Sequence, residues 1–222
     1  MVLRIVRDVG SAMEREQRFG YRIMQFKLAP FHLISQLDMN RLWDRVLRRA
    51  GLPVLFSRGF NPRPLVSFAP ATPLGVESKA EYLDVFFAER LQEEELRAVL
   101  NRELPLELGV QAVGKLHPGE KKVAGMIRGF LYTFYFSKKI KLNMEDVLKH
   151  LPDGVSFCSS VSDERPEQQA GAYAFSFVFE GKSLFLNPFQ FAKSLGVDVD
   201  KEELLGVVKE KALFNNKEVS RS

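Results

Sequence analysis

The pattern of the 222-residue chain predicts an α+β protein, with a first domain over 21–116 and a second α+β lobe over 123–214. Alternation of apolar and polar residues, incomplete but sufficient, marks a strand at Tyr21–Leu28, and aromatic runs mark two more at Gly129–Ser137 and Ala172–Glu180. Apolar residues three and four apart behind a capping side chain mark helices, most clearly after Ser35. Proline and glycine punctuate the junctions between these segments.

Residues 1–20 are polar and weakly periodic, and read as a tail or a loosely docked helix. In Tyr21–Leu28, Tyr21, Ile23 and Gln25 share one face, and Pro30 ends the strand. Ser35 stands three residues before Asp38, a capping box with Asp in place of Glu. Behind it, Leu42, Trp43, Val46, Leu47 and Ala50 form a stripe fit for burial. Arg41, Arg45 and Arg48 fall at i, i+4 and i+7 on the opposite flank, with Asp44 placed to pair with Arg48. Gly51 and Pro53 end the helix. Phe56–Pro64 is irregular, because Gly59 permits positive φ while Pro62 and Pro64 lack a backbone donor. A short strand at Leu65–Ala69 and a buried one at Ala80–Ala88 follow. Gln92–Leu104 is a helix with Leu96, Val99 and Leu100 inward and Glu93–Glu95 at the positive end of its dipole. Leu106–Leu116 closes as a strand. The order is that of the split βαβ, or ferredoxin-like, arrangement, four antiparallel strands with two helices on one face.

His117–Lys122 reads as a polar linker. The second lobe then runs through strand Gly129–Ser137, a short helix Met144–Leu151 capped by Asn143, and strands Val155–Ser160 and Ala172–Glu180. A turn at Gly181-Lys182 leads into a strand at Ser183–Leu186, a helix at Pro188–Leu195 and a last helix at Lys201–Lys211, with 215–222 as a tail. This partly repeats the first order and raises the expectation of a degenerate copy. Phe130, Tyr132, Phe134 and Phe136 line one strand face, as do Tyr173, Phe175, Phe177 and Phe179. They are expected in a core rather than on a base-stacking platform, since no basic aromatic RNP signature accompanies them.

Composition excludes several chemistries. With one cysteine, Cys158, and three scattered histidines, the chain has no internal disulfide, cysteine-ligated cluster or spaced metal motif to offer. No transmembrane run or secretory signal is expected, and the default is a cytoplasmic protein without cofactor. The net charge of +4 conceals an asymmetry. Residues 22–64 carry eight Lys/Arg against two acids (+6), and residues 65–115 carry five against nine (−4). Such clusters steer anionic partners more than net charge does.

The sharpest local feature is the Gly59–Pro64 loop. It follows the arginine helix, so Arg58, Asn61 and Arg63 are expected beside Arg41, Arg45 and Arg48, where guanidinium forks bind phosphate. Phe56 or Phe60 then offers a ring to a base. The alternatives are a purely structural turn with Phe60 packed in the core, and a small-molecule site. Asp38, Ser57, Gly59, Phe60, Glu77 and Glu81 are the supporting residues of this candidate site. Glu77, Glu81 and Asp84 are read chiefly as ion-pair partners that orient neighbouring arginines. General acid–base groups or Mg²⁺ ligands are the rival reading.

Ser35-Gln36-Leu37-Asp38, Arg48-Arg49-Ala50-Gly51-Leu52-Pro53, Ser57-Arg58-Gly59-Phe60-Asn61-Pro62-Arg63-Pro64 and Pro73-Leu74-Gly75-Val76-Glu77-Ser78 together resemble the radical-SAM-linked protein family, a domain of unknown function. The similarity is dense from about residue 22 to 113 and continues through Glu81-Tyr82-Leu83-Asp84. The family's usual Ser-His-Leu-Asp reads Ser35-Gln36-Leu37-Asp38 here, and its usual Asn-Pro-His-Pro reads Asn61-Pro62-Arg63-Pro64. The resemblance implies a radical SAM protein as partner and a neighbourhood of RNA metabolism. A radical SAM cluster needs three cysteines, so Cys158 alone places that cluster on another chain, in trans.

The expectation is therefore a non-catalytic RNA-binding or substrate-presenting module in RNA modification, with tRNA or rRNA as the bound species. Two alternatives stand beside it. One is a metal-independent RNA-processing nuclease with His32 as general acid. The other is a protein-interaction partner that docks on a radical SAM enzyme through the second lobe.

Overall fold

The computed structural model describes residues 18–137, 142–161, 172–197 and 203–214. The tails expected over 1–20 and 215–222 lie outside these residues, apart from 18–20, and β1 already begins at Phe19.

The first series of elements runs β1 (Phe19–Lys27), a 3₁₀ turn (Phe31–Leu33), α1 (Gln36–Arg49), β2 (Val66–Phe68), β3 (Glu77–Phe87), α2 (Glu93–Glu103) and β4 (Val110–Lys115). A second 3₁₀ turn (Val123–Gly125) leads to β5 (Ile127–Ser137), α3 (Met144–Lys149), β6 (Val155–Val161), β7 (Ala172–Glu180), a third 3₁₀ turn (Gly181–Phe185), α4 (Pro188–Ser194) and β8 (Leu204–Phe214).

In the first series β1 lies between β4 and β3, and β2 pairs with the far edge of β3. All three pairings are antiparallel, which is the split βαβ order. The second series repeats it: β5 lies between β8 and β7, and β6 borders β7. The two meet along one edge, where β3 and β8 pair in parallel at Glu77↔Val208 and Ser78↔Lys209, giving a single eight-stranded sheet. That seam is short because β2 occupies the later part of the same β3 edge, opposite Leu83–Val85.

Two segments depart from expectation. The helix expected at Lys201–Lys211 is strand β8 from Leu204 onward. Lys209, Glu210 and Lys211 mimic the polar face of a helix, but Val207-Val208 favour extended backbone, and β5 supplies a full-length antiparallel partner. The strand expected at Ser183–Leu186 is the third 3₁₀ turn, entered through Gly181 at φ +56°.

Two apolar clusters form, one centred on each series, and the second also takes in Val76 from the first. In the first, Trp43, Val46 and Leu47 of α1 and Leu96 and Leu100 of α2 pack on Tyr21, Ile23, Leu83, Val85 and Phe87. In the second, Phe134, Phe136, Phe177 and Phe179 pack around Phe191 of α4, whose ring stands edge-on to those of Phe177 and Phe179 at 5.0 and 5.1 Å. Edge-to-face geometry adds to the burial itself. The aromatic ladders are core, apart from Tyr173, which is exposed.

Candidate nucleic-acid interface

Helix α1 positions the site. Ser35 caps it: its Oγ accepts from the Asp38 N–H at 3.1 Å and donates its own proton to Asp38 Oδ2 at 2.7 Å. Those bonds, with the Arg41 guanidinium at 3.0 Å, hold the Asp38 carboxyl below its ordinary pKa. At the other end, Gly51 takes φ +64°, the left-handed cap that allows the chain to turn away.

The loop after α1 closes back on itself. Phe56 bridges Pro64, the Ser57 N–H donates to the Arg63 carbonyl at 2.8 Å, and the Arg63 N–H donates to Ser57 Oγ at 3.0 Å. The tip carries Gly59 at φ +145° and Phe60, which is wholly exposed at 107%. The alternative in which the loop is a purely structural turn with Phe60 packed in the core is thereby excluded as to Phe60. Two prolines and a glycine leave the tip no ladder partners, and the Ser57–Arg63 closure directs it outward.

Arg41, Asp44, Arg45 and Arg48 of α1 and Asn61, Pro62 and Arg63 of the loop line one open groove of about 510 Å³. Four guanidinium groups face it against a single carboxylate, Asp44. Arg48 ties its two walls together, pairing with Asp44 Oδ1 at 3.1 Å and donating to the Pro62 carbonyl at 3.2 Å. The same guanidinium lies 4.9 Å from the centre of the Phe56 ring. Among the described residues Arg45 and Arg63 have no carboxylate partner. The Arg41–Asp38 and Arg48–Asp44 pairs are exposed and screened by water, so an incoming phosphate can compete for either. Arg58 is exposed on the loop but does not line the groove.

The three acids expected together serve three different places. Asp84 is buried and takes a two-pronged contact from Arg22, with Nε–Oδ1 at 2.8 Å, as the ion-pair reading expected. Glu77 accepts from the Ala29 N–H at 3.2 Å. Glu81 pairs with Lys209 Nζ at 2.6 Å and accepts from the Thr72 hydroxyl. Burial pushes the Glu81 carboxyl pKa up, but Lys209 and Lys27 outweigh it and hold the group below its ordinary value. Both lysines are pushed down, chiefly by burial. Lys27 and Lys209 escape the reading of the sequence, although Lys27 continues the inward phase of Tyr21, Ile23 and Gln25 along β1. His32 lies in the turn before α1 and does not line the groove.

A family match runs from residue 20 to residue 162, from the first strand past the end of β6. The chain belongs to a family described as uncharacterised proteins conserved in bacteria (DUF2344). The DUF2344 span contains every residue that lines the arginine groove, and it ends before Lys209. No curated protein matches the chain. No helix of the described residues is long and apolar enough to cross a membrane.

Proposed function

We propose that this protein is a non-catalytic RNA-binding, substrate-presenting module that acts in RNA modification beside a radical SAM protein supplied in trans. The observation that carries the RNA part is the open groove lined by Arg41, Arg45, Arg48 and Arg63, next in sequence to the exposed Phe60 of the same loop. Guanidinium groups engage successive phosphates, and a free aromatic face stacks on an unpaired base regardless of its identity. The radical SAM partner rests on the sequence resemblance alone.

Binding of tRNA or rRNA fragments measured against salt concentration tests the reading. If the four arginines each neutralise one phosphate of a single strand, log K falls with log salt at a slope of about −3. Absence of binding at low salt would overturn it. The nuclease reading loses support from the geometry, because His32 stands outside the groove and Asp44, its one acid, is paired with Arg48. An RNA cleavage assay with His32→Ala as control separates the two, and intact RNA is expected.

A further inference from the structure

Among the described residues that line the arginine groove, Asn61 carries the one neutral polar side chain; Arg41, Asp44, Arg45, Arg48 and Arg63 are all charged. Guanidinium groups offer donors only, which suits phosphate oxygens. An amide sets a donor and an acceptor side by side, which suits the edge of a base.

The fold of the loop leaves this amide without an internal partner. An asparagine in a turn ordinarily directs its side-chain oxygen onto the backbone N–H two residues on. Here that N–H belongs to Arg63, and it donates to Ser57 Oγ at 3.0 Å instead. The residue between them is Pro62, which has no N–H to offer. The Asn61 side chain accordingly makes no hydrogen bond among the described residues. The other described asparagines, Asn40, Asn101, Asn143 and Asn187, all use theirs, on a glutamine amide, a strand edge and two helix caps.

Asn61 is nonetheless held in place. Pro62 confines the residue before it to extended backbone. The Pro62 carbonyl accepts from Arg48 at 3.2 Å, and the Arg63 carbonyl accepts from the Ser57 N–H at 2.8 Å. A free amide on an anchored backbone loses little freedom when a ligand arrives. The residue before it is Phe60, wholly exposed and available for stacking.

We propose that Asn61 is the specificity-determining residue of the groove, and that the RNA it selects is a single strand with an unpaired adenine. The inference rests on the RNA reading given above and adds base selection to it. The Asn61 amide nitrogen donates to adenine N7 while its oxygen accepts from the N6 amino group. On that edge guanine shows two acceptors and the pyrimidines have no N7, so this pairing of acceptor and donor belongs to adenine alone. The arginines hold the backbone of the strand and contribute no choice of base.

The test is fluorescence anisotropy of the full chain with labelled uridine strands of about eight nucleotides, each with one central adenine or 7-deazaadenine. The deaza base keeps the purine stacking surface and the N6 amino group and lacks only N7. The adenine strand should bind about tenfold more tightly than the deaza strand. Asn61→Ala should bring the two affinities together while the slope of log K against log salt stays near −3, since no phosphate contact is lost. Equal affinities in the unaltered chain, or a gap that persists in Asn61→Ala, would overturn base selection by Asn61 and leave RNA binding standing. No binding of either strand at low salt would overturn both.

Discussion

Glu81 shows how far a single residue depends on partners remote in the chain. Its side chain is 12% exposed and locked to Lys209, which is wholly buried and also lies 4.7 Å from the Phe130 ring centre. Removing the carboxylate leaves buried ammonium groups unmatched, so Glu81→Gln should destabilise the protein by roughly 3–5 kcal/mol in urea unfolding. The acid limb should change as well. A carboxyl held below its ordinary value of 4.5 contributes stability above that pH, and loses it as the pH falls through the folded value. Stability of the unaltered protein should therefore fall below about pH 4.5, and Glu81→Gln should flatten that fall. An equally steep acid limb in the variant would show that other carboxylates govern it. The sequence singled out Glu81 but not its partner, because Lys209, heading the charged run Lys209-Glu210-Lys211, gives no sign of pairing across a sheet seam. Asp84 was easier, since an acid at an inward position of a buried strand must meet a cation, and Arg22 sits directly across from it in the β1–β3 pairing.

At the scale of elements, α1 was legible almost in full. Its cap, apolar stripe, arginine flank and glycine stop are local, and each survives in the structure. Ser35→Ala should cost about 1 kcal/mol through loss of the cap, read as a lowered thermal midpoint. RNA affinity at a temperature well below the midpoint should be unchanged, because Ser35 does not line the groove. A large loss of affinity would mean that the first turn of α1 takes part in binding. The arginine loop was half legible: proline and glycine marked it as irregular, but the direction of Phe60 depends on the Ser57–Arg63 closure, which no local pattern encodes. Strand β8 was missed for the opposite reason. Its charge pattern fits a helix, and only the unpaired edge of β5 makes extended backbone the better use of its amides.

Across the whole molecule, the two βαββαβ series share one strand order, and the sheet runs unbroken between them. The order of elements in the first series was readable from period and punctuation. The joining of the halves through two residue pairs was not, since parallel pairing at a seam leaves no periodic trace. Because the apolar clusters are separate, damage to one should spare the other's surface. Phe191→Ala, which empties the centre of the second cluster, should cost about 3–5 kcal/mol in urea unfolding while leaving RNA affinity intact under folding conditions. Affinity that falls in step with stability would place part of the interface on the second series.

The arginine groove is best judged by the salt dependence of single-stranded RNA binding in the unaltered chain and in Arg45→Ala/Arg63→Ala. These two arginines have no carboxylate partner among the described residues, so their removal should leave the fold stable. The slope of log K against log salt should shrink from about −3 to about −1.5 as two phosphate contacts are lost. An unchanged slope and affinity in the double variant, or no binding by the unaltered chain at low salt, would contradict RNA recognition at this groove.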